Sequence, residues 1–410
     1  MSSEEHSAAV PSVVGRRELW RAVYLPTIVL ALAEGMLVPV LPLFVAQMGA
    51  GFALVGVALA AEAIGMLVGD LPAGSLLRRI DRKRVMLVGV VVVGASVTLL
   101  PFAGSVALVI ALRLVAGVGA AMWSLSRHAY LTEATRAMGR GRALAAFGGA
   151  TRVGHFIGPA LGGVVAGTLG FAAAFWCYAL IAGVAFVLCA RYLEARDPRA
   201  ADPRHRLGHR AALAQVLRLQ RSTLLVTGTG HVMAQMVRSG RRIVIPLVGA
   251  SVLGLDVQAV GWVLSAAALL DVIMFPIAGV LMDRLGRKWA IVPSFALQAF
   301  GMALVPLAGD FWGLLVVGGI IGLGNGIGSG TMMTLASDLA PAGTVGEFLG
   351  VWRVIGDAGS MGGPVVVGVV ADVLTLESAA LVIAAVGFGA AAVFAWGVPE
   401  TLRTRASEAT

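Results

Sequence analysis

The chain has 410 residues, 58% of them hydrophobic and only 13% charged, with a mean hydropathy of +0.90. That excludes an ordinary soluble globular protein, in which about a quarter of residues are charged. Lys and Arg outnumber Asp and Glu 31 to 22, a surplus that would suggest nucleic acid in a soluble chain. Here the cations sit between apolar runs, which assigns them to membrane topology instead.

Apolar segments fall at about 20–47, 54–77, 85–104, 106–130, 143–166, 171–192, 223–250, 257–282, 289–308, 312–336, 347–371 and 378–398. Each is near the roughly 20 residues that a helix needs to cross a bilayer. The expected fold is therefore all-α and polytopic, with twelve transmembrane helices. No secretory signal with a cleavage site is expected, so the first run reads as a retained span. Of the 31 Lys and Arg, 25 fall in alternate connections or at their edges, 6 inside spans and none in the other set of loops. Under the positive-inside rule this predicts a multi-pass cell-membrane protein with both termini cytoplasmic. The two cysteines, Cys177 and Cys189, lie about 18 Å apart along one expected helix, too far for a disulfide. No spacing suggests a metal site or a cofactor, and no HExxH, Walker or paired catalytic motif supports an enzyme.

The chain repeats at an offset of about 205 residues. Gly74 maps to Gly279, Gly117 to Gly322 and Glu133 to Asp338, while Gly154, Gly158, Pro159 and Gly163 map to Gly359, Gly363, Pro364 and Gly368. Two pseudo-symmetric six-helix halves are predicted, residues 1–192 and 222–410, joined by an Arg-rich cytoplasmic linker over 193–221. Its end, RAALAQVLRLQRS, reads as linker with topology charge or as an amphipathic surface helix. Halves related in this way place a substrate site between them, near the midplane.

Ionisable residues inside spans are functional candidates because charge in a membrane is costly. The first span carries Tyr24, Thr27 and Glu34 on one face. The second carries Glu62 and Asp70, and the fourth Arg113 and Trp123, with Arg113 at the depth of Glu62. At the end of the fourth span, Arg127, His128 and Glu133 are expected to bind loop charges. The fifth carries Arg152 and His155, and the seventh a stripe of His231, Gln235, Arg238 and Arg242 with Arg241 beside it. Asp271 in the eighth is the nearest acid in sequence to neutralise Arg238. In the eleventh, Arg353 and Asp357 stand one turn apart. Glu34, Glu62, Asp70, Arg113, Asp271 and Asp357 are the proton-coupling candidates. Tyr24, Thr27, Trp123, Arg152, His155, His231, Gln235, Arg238 and Arg242 are the candidates for a substrate cavity. Met233, Met236, Met332, Met333 and Trp262 are ordinary core or the lining of an adaptable apolar pocket. Five acids against six arginines inside the spans argue for internal pairing, and the surplus cation leaves room for an anionic substrate.

Three local patterns carry a family resemblance. GHFIGPALGG, with Gly154, Gly158, Pro159 and Gly163, resembles the fifth-helix antiporter motif of the major facilitator superfamily. VIALRLVAGVGAA, with Arg113, Gly117, Gly119, Ala120 and Ala121, is similar to its fourth-helix motif, although Ala116 replaces the usual glutamine. GSLLRRIDRKR resembles the loop between the second and third helices, with Gly74 in place. Arg78 stands there for the usual Asp and Asp81 for the usual Gly, so Asp81 is the local candidate for the role of the missing acid. The matching loop in the second half, GVLMDRLGRK, keeps Gly279, Asp283, Arg284, Gly286 and Arg287. The resemblance implies a proton-coupled secondary transporter of the twelve-helix drug–proton antiporter branch, working by alternating access and exporting hydrophobic or amphipathic compounds. The loop aspartate would help hold the halves together. Its expected partners are a small-molecule substrate, protons and the bilayer, with no nucleic acid, and it is expected to act as a monomer. The alternatives are a proton-coupled importer of a small organic anion and a non-transporting receptor or lipid-handling protein.

Overall fold

The computed structural model describes residues 20–77, 79–134, 140–193, 209–341 and 343–402. Among these the regular structure is helical throughout, with no strand. A π-helical turn, Trp20–Tyr24, leads into α1 (Leu25–Gln47). There follow α2 (Phe52–Leu76), α3 (Arg82–Leu99), α4 (Val106–Ala134), α5 (Arg140–Leu169) and α6 (Phe171–Tyr192). A short helix, α7 (His209–Leu219), closes the linker and buries Val216 in the core of the second half. The second bundle comprises α8 (Arg221–Leu247), α9 (Val257–Arg284), α10 (Lys288–Leu304), α11 (Phe311–Ile327), α12 (Thr331–Leu339), α13 (Val345–Val373) and α14 (Leu376–Ala392).

Among the described residues, ten spans are long and apolar enough to cross a membrane, with α11 and α12 counted together as one. The other two crossings are α5 and α8, of 30 and 27 residues, which suffice by length at about 1.5 Å per residue. Both carry charges that cannot face lipid, and both lie against the opposite half: α5 packs on α9, and α8 touches α1. The tenth span is not continuous as expected. Gly330, at φ +78°, takes a left-handed conformation that breaks it between α11 and α12, a backbone state in which only glycine is free of strain.

Glycine explains how close the helices come. With no hydrophobic drive between helices in lipid, van der Waals contact between small residues holds them together. A Cβ on Gly158 would lie 2.6 Å from Gly35 Cα, and one on Gly363 would lie 2.6 Å from the Met236 carbonyl oxygen and 3.1 Å from Gly240 N. Gly35 and Gly240 are themselves 205 residues apart, so the repeat is a repeat of contacts. The same holds between the halves. Gly163 faces Val257 at the start of α9, and Gly368 faces Phe52 at the start of α2. Gly158 and Pro159 of the fifth-helix motif, expected to shape tight packing between the halves, divide between two contacts. Gly154 and Gly158 seat α5 on α1 inside their own half, whereas Pro159 and Gly163 meet the other half at Gly261 and Val257, and Ala160 N donates to Ser265 Oγ there at 2.8 Å.

The end of the bundle that carries the α2–α3 and α9–α10 turns is the basic end. There Arg287 donates to Asp338 (Nε to Oδ2, 3.0 Å), to the Met282 carbonyl (2.8 Å) and to Asp283 (3.3 Å). Glu400 accepts from the backbone N–H of Arg287 (2.9 Å) and of Lys288 (3.0 Å), capping α10. Burial opposes ionisation of Glu400. The N–H donors of Leu402, Arg287 and Lys288, with the Arg287 charge, outweigh that and hold its carboxyl below the usual range. Gly286, at φ +117°, makes the turn. Among the described residues the ion-pair partner of Asp283 is Arg287 of its own half. Gly74 and Gly279 have open space where a side chain would start, and Arg284 is exposed at the end of α9. Asp81 stands at the N-cap of α3, and Arg78 lies outside the described residues.

Candidate functional site: a charged cavity between the halves

A cavity of about 710 Å³ lies where the two bundles meet, lined from α1, α2, α4, α5 and α6 on one side and α8, α9, α11 and α13 on the other. The volume is in the range of sites for drug-sized molecules. Apolar residues such as Leu37, Leu41, Leu59, Ile245 and Val263 make part of its wall. Into this wall the polar faces of α1, α4, α5 and α8 set a dense group of ionisable side chains.

Arg113 of α4 hydrogen-bonds and ion-pairs with Glu62 of α2, as their matched depth predicted. Gly65 and Gly117 sit against each other here, so the backbones of α2 and α4 are close enough for the pair to form. Glu34 of α1 is half exposed into the cavity, with His155 Nε2 of α5 at 3.6 Å from its Oε2. The Glu34 carboxylate also feels the charges of Arg127 and Arg242.

Asp271 is reached from the other half. Arg152 Nε lies 3.7 Å from Asp271 Oδ1, and Arg152 donates to Ser329 Oγ at 2.7 Å. Ser329 in turn donates to Asp271 at 3.2 Å. The Arg152 guanidinium also lies over Phe275, 4.3 Å from the ring centre. Arg238, expected to take Asp271, is held otherwise. It donates to the Gly328 carbonyl (3.1 Å) and to Gln235 (3.4 Å) and stacks on Phe295 at 5.2 Å. Arg241 and Arg242 also line the cavity.

Several sequence candidates lie elsewhere. Thr27 is fully buried and donates to the Val23 carbonyl at 2.7 Å, a bond that turns its hydroxyl along its own helix. Tyr24 lies in the π-helical turn before α1, edge-on to Trp20. His231 is buried and stacked on Trp352, with ring centres 4.4 Å apart. None of the three lines the cavity, because helical drift over two or three turns carries a stripe off one face. Asp70 and Asp357 leave the site as well. Asp70 pairs with Arg353 at 3.1 Å, bridging α2 and α13, and Asp357 pairs with the same Arg353 within α13 at 3.8 Å, as one-turn spacing predicts. Met333 and Trp262 are exposed on the bundle surface, and Met332 is ordinary core.

Two residues were missed. Arg127, assigned to loop charges, lines the cavity and stacks on Phe147 at 4.5 Å and Trp123 at 5.4 Å. Its helical spacing from Arg113, Ala120 and Trp123 was the available signal, since i, i+7, i+10 and i+14 share a face. Ser329 carried no signal, because its place depends on the break at Gly330.

The family model described as Major Facilitator Superfamily matches residues 23–237 and 227–409. An uncharacterized MFS-type transporter of Methanocaldococcus jannaschii is 22% identical over 358 residues, covering 87% of this chain and 92% of that protein. Multidrug resistance protein 2 of Bacillus subtilis is 28% identical over 176 residues, 43% of each chain. Among solved structures, a POT family transporter in complex with a thioalcohol-conjugated peptide superposes with a TM-score of 0.75 at 10% identity, covering 92% of this chain and 95% of that one. The human organic anion transporter MFSD10 superposes with a TM-score of 0.65 at 18% identity, covering 92% and 99%. These two likenesses show the fold. Twelve crossings in two repeated halves around one cavity, together with a family match over nearly the whole chain, place it in a family of transporters rather than enzymes: the chain is a member of the Major Facilitator Superfamily.

Proposed function

We propose that this protein is a proton-coupled secondary transporter that exports small amphipathic or hydrophobic compounds by alternating access. One observation carries the reading: three carboxylates, Glu34, Glu62 and Asp271, face the cavity between the halves, each beside a cationic or basic group. A carboxylate that keeps its cation stays ionised, and one that loses it while still desolvated takes up a proton. Arg152–Asp271 spans the two halves, so rocking them stretches that pair directly. Glu62–Arg113 lies inside one half and responds to repacking of α2 against α4. Residues 1–192 and 222–410 act as the two rocking bodies and 193–221 as their cytoplasmic linker. Export rests on the fifth-helix motif and on the likeness to a multidrug resistance protein.

The working topology is a monomer in the cell membrane with both termini inside. Cysteines at Ala50, Ser105 and Ser251 should then react with an impermeant reagent in intact cells, and one at Arg82 should not.

Everted vesicles test the function. Adding a transported compound to vesicles holding a proton gradient should release protons, and Glu62→Gln should abolish gradient-driven flux while leaving binding. Flux that ignores the gradient overturns the coupling. A second reading, co-transport of an organic anion with protons, is favoured by the arginines on α8. It predicts the opposite sign, with substrate and proton entering from the same side.

A further inference from the structure

The cavity holds more positive charge than the protein itself neutralises. Six arginines line it (113, 127, 152, 238, 241 and 242 in number) against three acids, Glu34, Glu62 and Asp271. Two of the arginines are matched, Arg113 with Glu62 and Arg152 with Asp271, and Glu34 is approached by His155. Among the described residues, Arg127, Arg238, Arg241 and Arg242 have no carboxylate within ion-pair distance. Arg127 is satisfied in part by two aromatic faces, and Arg238 by a carbonyl, Gln235 and Phe295. Among the described residues, Arg241 and Arg242 have neither a hydrogen bond nor a ring to lie on, and the Nε atoms of Arg238 and Arg241 are buried with no partner.

A guanidinium at mid-membrane depth costs about 2.5–3.5 kcal/mol even on the mildest scale, so adjacent ones need a counter-charge. Among the described residues, Glu34 and Asp271 share their fields with several of these arginines, but three acids cannot match six guanidinium groups. What remains is the cargo. Guanidinium forks match the planar oxygens of carboxylate, sulfonate or phosphate, and they bind such groups in pairs where ammonium binds as a point. Leu41, Ile245 and Val263 make an apolar part of the remaining wall, beside hydroxyl and amide groups of Ser124, Thr151 and Asn325.

We propose that the cavity takes an amphipathic organic anion, whose acidic group is held by Arg241 and Arg242 with help from Arg238 and whose hydrophobic body lies on the apolar wall. This rests on the cavity being the substrate site of a transporter, and it holds for either direction of movement.

The test is a binding comparison on the full chain in nanodiscs, using one dansyl body with different heads. The anionic heads are a carboxylate (dansylglycine), a sulfonate and a phosphate ester; the cationic head is an amine (dansylcadaverine). At least one anionic probe should bind ten-fold or more tightly than the amine. Arg241→Gln and Arg242→Gln should each weaken it about ten-fold, and the double variant more, with the thermal unfolding midpoint unchanged or raised. Arg242→Lys should recover only part of the loss, because it restores the charge without the fork. Tighter binding of the amine, binding of none of the anionic probes, or an anion affinity within two-fold of the parent in the folded double variant would each overturn the proposal. A failed proton-flux experiment with intact anion binding would sink the coupling and leave this assignment standing. Proton-coupled flux of the amine alone would do the reverse.

Discussion

Helices α2 and α9 occupy equivalent places 205 residues apart, yet their first turns are capped from different sources. α9 caps itself: Asp256, at its N-cap, accepts from the N–H of Ala259 at 2.7 Å. The equivalent residue before α2 is Gly51, which has no side chain to offer. The cap comes instead from the other half, where Asp372 near the end of α13 accepts from Phe52 N (2.7 Å) and Ala53 N (2.9 Å). At the position equivalent to Asp372 the first half has Gly167, which lies against Gln258. One contact, repeated twice by the fold, is therefore a plain packing contact on one side and an anion on a helix N-terminus on the other. The α9 cap is internal to its own half, whereas the α2 cap requires α13 to touch α2. The basic end shows a second inequality. Arg353 bridges to Asp70 between α13 and α2, while at the equivalent place Gly148 meets Phe275 under Arg152. Sequence duplication has kept the backbone path and left the polar chemistry free to differ.

The largest effect is expected inside the first half, at a pair with no counterpart in the second. Glu62→Gln leaves Arg113 facing an amide, and an orphaned buried charge costs up to about 3–5 kcal/mol, reduced here because Glu62 borders the cavity. The thermal midpoint in detergent should fall. The double variant Glu62→Gln with Arg113→Met should recover stability without recovering proton-driven flux. Recovered flux in that variant would show that the pair is structural only.

Next in size are the glycines, where the halves should behave alike. Gly158→Leu and Gly363→Leu both drive a side chain into a neighbouring backbone, and overpacking of this kind typically costs about 1–3 kcal/mol. Both should lower the unfolding midpoint by similar amounts and block flux. If only one does, the repeat of contacts is not a repeat of energetics.

The caps come third. Loss of an N-cap acid costs about 0.5–2 kcal/mol, so Asp372→Ala should destabilise modestly and weight the ensemble toward states in which α2 and α13 part. Combining Gly51→Asp with Asp372→Gly moves the second half's arrangement into the first. Stability should return while the contact between halves does not, which spin-label distances between α2 and α13 would read. Equal distance distributions in the parent and the transplanted protein would mean that Asp372 caps without latching.

The smallest expected effect concerns Glu400. Its carboxyl is depressed by the N–H donors of α10, so its stabilising contribution is present above the unfolded carboxylate range and is lost as pH falls through its lowered folded value. Glu400→Gln should lower the midpoint slightly at neutral pH and match the parent in acid. A constant difference across pH would assign the loss to packing rather than charge.

Much of this molecule was legible in one dimension. Apolar run lengths, the 205-residue offset and the glycine spacing were enough for twelve helices in two halves, because a bilayer forces every backbone group into a helix and small residues into the contacts. The pairing of Glu62 with Arg113 followed from depth alone, since both lie on spans whose ends the membrane fixes. Tertiary structure decided what depth cannot. It sent Asp271 to Arg152 of the other half rather than to Arg238, and drew Asp70 across to Arg353, whose pairing with Asp357 one turn away was already legible. It put Arg127 into the cavity, and it brought Asp372 to the start of a helix some 320 residues away. Membrane thickness sets a residue's height, whereas its partner depends on helix rotation and on which helices adjoin across the interface, and both are set by side-chain packing among distant segments.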